Sequence, residues 1–173
     1  AKFKQNPLSK KDMPKTAEEK LDPERCPYRA LLGCLSYISL WGRPDICTAI
    51  SILARFQDNP GKRHWEALKQ IAVYLKRNPD YCIRYQQDAP KHNTLTGYVD
   101  ADFANSDPDE MRSRTGYVFF ANGGPVVWRS TLQSLTAQSS CESEMIALNA
   151  AAKEAEWTRV VYSELCNGAF DHN

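Results

Sequence analysis

The chain has 173 residues, of which 42% are hydrophobic and 25% charged, with a formal net charge of +1. That balance suits one folded domain with a sizeable core and excludes a disordered chain. It also excludes a strong global field for nucleic acid, although a local basic face remains open. The six cysteines are Cys26, Cys34, Cys47, Cys82, Cys141 and Cys166, and none forms a C-x-x-C pair. They read as reduced packing residues of an intracellular protein rather than a disulfide frame or zinc site. No signal peptide or membrane-length apolar run is visible.

Residues 1–26 are polar, charged and dotted with proline. They bury too little apolar surface to order themselves, so an extended arm is expected, held by the body of the protein or by a partner. Three helical patterns follow over residues 27–80. "PYRALLGCLSYISLW" places Leu31, Leu32, Leu35, Tyr37 and Ile38 mostly on one side, and Gly42 can end the helix. "RPDICTAISILARFQDNP" opens with Pro44 and Asp45, suited to a first turn. Ile46, Ile50, Leu53 and Phe56 then form a stripe. "GKRHWEALKQIAVYLKRNP" offers Trp65, Leu68, Ile71, Ala72 and Leu75 as its apolar face. Short connections predict that the three pack as one bundle.

After Pro79 the period changes from helical to alternating, which opens a third region, residues 81–173. "YCIRYQQ" reads as a short strand and "TLTGYVDAD" as a second. "SRTGYVFFANGGPVVWRST" reads as two strands around a turn at Asn122-Gly123-Gly124-Pro125. A long helix begins near Ser139 and runs to about Leu165. The predicted class is α+β: three helices, a three-stranded antiparallel meander, and a helix.

Acids mark the candidate site. Asp100 and Asp102 are two apart on a strand and face one side if the strand runs through both. Ser139 and Glu142 form an S-x-x-E capping box, which gives Glu142 a structural role. Glu144 shares a helical edge with Leu148 and Ala151, where a carboxylate is costly unless it meets a cation. If Asp100 and Glu144 converge, a magnesium ion is the simplest way to hold them together. Paired metals could then drive phosphodiester hydrolysis, but that chemistry uses three or four carboxylates.

These segments together resemble the C-terminal part of the Pol polyprotein of Copia-type LTR retrotransposons. "GRPDI", "GYVDADFA", "RTGYVFF" and "SSCESEMIAL" carry the resemblance jointly. The first half looks like the thumb and connection of a reverse transcriptase, and the second like the start of an RNase H domain. The resemblance implies a thumb-like bundle followed by a truncated RNase H-like unit. It implies that Asp100 and Glu144 bind catalytic magnesium, with Asp102 as a neighbouring ligand. Phe103 and Asn105 stand where the family has Trp and Gly. The family continues with a further strand bearing an Asp-Asn motif and a last acid, and Asp171 follows the helix too closely to be that strand acid. The expectation is therefore a catalytically incomplete fragment acting as a structural or interaction subunit. Protein partners would contact its arm or the exposed edge of its first strand. The alternatives are an Mg-dependent ribonuclease H acting on RNA–DNA hybrids, and a non-catalytic module binding nucleic acid through Lys62, Arg63, Lys69, Lys76 and Arg77. Those basic residues equally suit a solvated helix face.

Overall fold

The computed structural model describes residues 8–86, 94–104 and 111–165. Asn105, Cys166 and Asp171 lie outside the described residues. The chain separates into two compact units, the first running through Tyr81 and the second starting at Cys82.

The first unit is helical. A 3-10 turn at Lys10–Asp12 precedes α1 (Tyr28–Trp41). A second 3-10 turn at Pro44–Ile46 leads into α2 (Cys47–Ala54), and α3 spans Lys62–Arg77. The expected stripe Ile46, Ile50, Leu53 and Phe56 is buried throughout. Ile46, Ile50 and Leu53 pack with Tyr28, Leu32 and Leu35 of α1 and with Leu68 and Ile71 of α3, and Trp65 and Leu75 lie partly buried against the same core. The Tyr28 hydroxyl donates to the Leu53 carbonyl at 2.8 Å, which satisfies a phenol taken out of water.

One expectation changes here. The buried positions of α1 are Tyr28, Leu32, Leu35 and Ser39, spaced by four, three and four residues. That stripe leaves Tyr37 63% and Ile38 39% exposed. The arm has one of the two holders expected for it. From Leu8 onward the unit itself holds it. Leu8 packs on the helical core. Asp12 pairs with Arg63 of α3. The Asn59 amide donates to the Pro14 carbonyl at 3.2 Å.

The second unit is a sheet under one helix. Its strands are β1 (Thr96–Asp102), β2 (Arg114–Ala121) and β3 (Gly124–Leu132), in the order β1-β2-β3, followed by α4 (Ser140–Leu165). Both pairings are antiparallel. Asn122 and Gly123 close the hairpin with φ of 50° and 81°. Two consecutive left-handed residues are what a type I′ turn needs, and Asn-Gly tolerates them best. Residues 82–86 are not a strand, contrary to the sequence pattern. Their contacts go to the hairpin end instead of a ladder. Gln86 N–H donates to the Asn122 carbonyl at 2.8 Å, and the Tyr85 hydroxyl donates to the Pro125 carbonyl at 2.8 Å.

Tyr117 and Phe119 of β2 form the core of this unit with Ala151 of α4, joined by Val99, Val127 and Ala155. α4 reaches the sheet through small residues: its buried positions are Ser143, Ala147, Ala151 and Thr158, the first three at four-residue spacing. The five described cysteines are free thiols, and none is buried: Cys34, Cys82 and Cys141 are exposed. They are not the packing residues their apolar neighbours suggested.

Leu68 is fully buried while Tyr37 is not. Leu68→Ala should therefore lower stability by about 2–5 kcal/mol in urea unfolding, and Tyr37→Ala by no more than about 0.5 kcal/mol. Similar losses at both positions would contradict the packing described.

Candidate functional site

Asp100 lies opposite Gly116 in the β1–β2 register, and Asp102 lies opposite Arg114. Side chains alternate along a strand. Val99 packs with Tyr117 and Ala151 beneath α4. Asp100 and Asp102 therefore project from the other face, where both are exposed. Arg114 is buried on that face, with Nη1 3.5 Å from the Ser130 hydroxyl. Opposite charges directly across a strand pair are stabilising. Asp102 thus has a cross-strand cation to face.

The acids of α4 divide in the same way. The Ser139 hydroxyl accepts from Glu142 N–H at 3.1 Å, as the capping pattern predicts. The Glu142 carboxylate accepts from Gln138 N–H at 2.7 Å, one residue before the box would have it. Glu142 is thereby engaged at the helix start. Glu144 is exposed, on the flank of the buried Ser143–Ala147–Ala151 stripe. Leu148 is exposed as well, so the edge that Glu144 shares is open to water and imposes little desolvation on it.

Asp100 lies on the face of β1 away from Val99, and Glu144 is exposed beside the buried stripe of α4. Oxygen donors suit magnesium. Their number here does not: among the described residues, no group of three or more His, Cys, Asp or Glu side chains is placed to hold a metal ion.

The basic residues of α3 have mixed fates. Arg63 pairs with Asp12, and Lys69 pairs with Glu66 at 2.9 Å. Lys62, Lys69 and Lys76 recur every seven residues and so share one side of the helix. Lys76 and Arg77 occupy its last turn, where cations favour the helix dipole.

Sequence reasoning missed three polar centres. Arg43, 9% exposed, clasps Asp45 with two hydrogen bonds of 3.0 and 2.8 Å and donates to the Asn78 carbonyl at 3.1 Å. The Tyr74 hydroxyl donates to the same Asp45 at 2.9 Å, and the guanidinium holds the Asp45 carboxyl below its ordinary range. The amide of Gln133, on the segment between β3 and α4, donates to the Ser143 carbonyl and the Thr115 hydroxyl at 2.9 and 3.1 Å. His64 is wholly buried at the start of α3. No periodicity flags a polar residue that turns inward to meet a partner distant in sequence.

No family model and no solved structure matches the chain. Curated relatives do. The chain is 42% identical to the retrovirus-related Pol polyprotein from transposon TNT 1-94 of Nicotiana tabacum, over 91% of this chain and 12% of the relative. It is 33% identical to the Pol polyprotein from transposon RE2 of Arabidopsis thaliana, over 83% of this chain and 10% of that one. The chain belongs to the family of Copia-type retrotransposon Pol polyproteins. It spans about a tenth of the length of these two Pol relatives. It is also 39% identical to secreted RxLR effector protein 161 of Plasmopara viticola, over 78% of this Pol-family chain and 92% of that protein.

Ser139→Ala should cost about 1 kcal/mol in urea unfolding through loss of the cap. Glu144→Gln should change stability by less than about 0.5 kcal/mol. A larger loss at Glu144 than at Ser139 would mean that the carboxylate has a structural partner.

Proposed function

We propose that this Pol-family chain works as an interaction unit of a larger retrotransposon-derived assembly and is not a self-sufficient ribonuclease H. The observation that supports this reading most is the outward side of α1. Arg29 is the one charged residue among its 14. Tyr37, Leu40 and Trp41 are each more than 60% exposed, and Ala30 and Cys34 are exposed with them. A helix apolar on both sides is normally covered on both sides. Adjacent exposed apolar residues of this kind mark contact surfaces. Among the described residues β1 is an edge strand, a second surface that suits pairing with an extended segment. Asp102 opposite Arg114 and Glu142 in the cap have structural roles, which leaves Asp100 and Glu144 as the acids such an assembly could use. Magnesium-dependent cleavage of an RNA–DNA hybrid would then need further acids beyond those of the described residues.

The test is hybrid cleavage in magnesium by the wild-type chain beside Asp100→Asn. The expected result is no metal-dependent cleavage by either. Cleavage by the wild type that Asp100→Asn abolishes would replace this reading with the enzyme.

A second reading, nucleic-acid binding without cleavage, is favoured by the Lys62–Lys69–Lys76 alignment on α3. If hybrid binds there, replacing all three with Ala should flatten the dependence of log affinity on log salt. The slope should fall by about 0.9 for each phosphate that the variant no longer neutralises. An unchanged slope would return these lysines to the role of a solvated face.

A further inference from the structure

The base of α3 holds a histidine shut beneath the arm. The His64 ring stacks on Phe56 with centroids 4.0 Å apart and planes 16° from parallel. Its Nδ1 accepts a hydrogen bond from Gly61 N–H at 2.9 Å. A ring that accepts at Nδ1 carries its proton on Nε2 and is neutral. Nε2 is buried and has no hydrogen-bond partner among the described residues.

The arm closes over this ring. The Asp12 carbonyl oxygen approaches Gly61 so closely that a Cβ on that glycine would overlap it. The Asp12 carboxylate accepts from Ser9 N–H at 3.0 Å and pairs with Arg63. The charged groups around the ring can be named element by element. Burial disfavours the imidazolium most, and Arg63 on α3 adds to that. Asp12 and the Ser9 backbone on the arm favour it, and the balance holds His64 below its ordinary value of 6.5. From the α2 side comes the uncharged Phe56, with the Arg55 guanidinium 5.7 Å from the centroid of that ring.

A second proton must go onto Nδ1, where it would face the Gly61 N–H. Two donors would then oppose each other in a dry site, with a charge beside them. Opening to water removes the conflict. The arm is a lighter cover than the helices: Leu8 lies against the core, Asp12 pairs with Arg63 and Asn59 donates to Pro14, whereas the helices share the apolar core. We propose that His64 is a proton-operated latch. Neutral, it keeps Gly61 and arm residues 8–14 closed over the base of α3. Protonated, it lets the arm go while the three helices stay packed.

The sign follows from the two states. Opening to water brings His64 back toward its ordinary 6.5, above its value when closed. The open state therefore binds more protons, and closure weakens as pH falls below 6.5 until the closed-state value is passed. Asp12, held below its ordinary 3.8, adds its own loss only at more acid pH. Within the window the open population should grow about tenfold per pH unit.

Amide hydrogen exchange on the whole chain tests this at about pH 7.5 and about pH 5, with rates corrected for intrinsic chemistry. The amides of Asp12, Met13 and Gly61 should exchange faster at the lower pH, and those of α1 should not. His64→Gln can still accept from Gly61 but cannot titrate, so its arm should stay protected at both. An arm protected in the wild type at about pH 5 would overturn the latch, as would the same acceleration in His64→Gln. Should that variant not fold, the His64 ring resonances of the wild type can be titrated beside arm exchange. Shared midpoints support the latch, and separate midpoints overturn it.

Discussion

The register between β1 and β2 fixes most of what the second unit can do. Val99 stands opposite Tyr117, and Gly97 opposite Phe119. A slip of one residue would turn Val99 outward and bring Asp100 under the helix, exchanging apolar burial for an unpaired charge. The observed pairing avoids that, and the missing side chain of Gly97 makes room for the Phe119 ring. α4 comes close because Ser143, Ala147 and Ala151 are small, and Gln133 satisfies the Ser143 carbonyl inside that contact. Asp100 and Asp102 face away from α4 as a consequence of this packing.

Much of what makes the family recognisable holds the fold together. "GRPDI" supplies Arg43 and Asp45, which join the loop after α1 to Tyr74 and Asn78 at the end of α3. "RTGYVFF" begins with Arg114, the residue opposite Asp102, and continues into the buried rings Tyr117 and Phe119. "SSCESEMIAL" contains the Ser139–Glu142 cap and the buried Ser143 and Ala147. A charged residue in a motif invites a catalytic reading. Here Arg43, Asp45 and Glu142 each have hydrogen-bond partners that account for them, and Arg114 and Asp102 face each other across two strands. Asp100 and Glu144 have no such structural assignment, and any chemistry of this chain would begin from them.

What could be read in the sequence, and what could not, divides along one line. Features set by neighbours in the chain were legible: the Ile46–Phe56 stripe, the Asn122-Gly123 turn, the cap of α4. Features set by distant partners were not. Tyr37 and Ile38 belong to an apolar run, and which of its residues turn inward depends on where α2 and α3 lie. Residues 82–86 alternate like a strand, but the nearest ladder they meet is a hairpin end. The arm lacks a core of its own, yet Leu8 borrows one. The acids were legible as residue types, whereas the face each occupies needed the β1–β2 register.

The first unit presents two outward surfaces with different chemistry. α3 shows water a charged side, on which Lys69 has its own partner in Glu66 and lies 5.7 Å from the Trp65 ring. Such a side is well solvated as it stands. α1 shows water Tyr37, Leu40 and Trp41, with the rings of Tyr37 and Trp41 5.9 Å apart and no charged residue among the exposed positions after Arg29. Stability of the unit does not require that composition, because the core of α1 is already complete in Tyr28, Leu32 and Leu35. A solvated helix face would be as stable with lysine and glutamate there, and more soluble. An enzyme working through Asp100 and Glu144 gives no reason for aromatic residues on α1, whereas a chain that is one part of a larger assembly does.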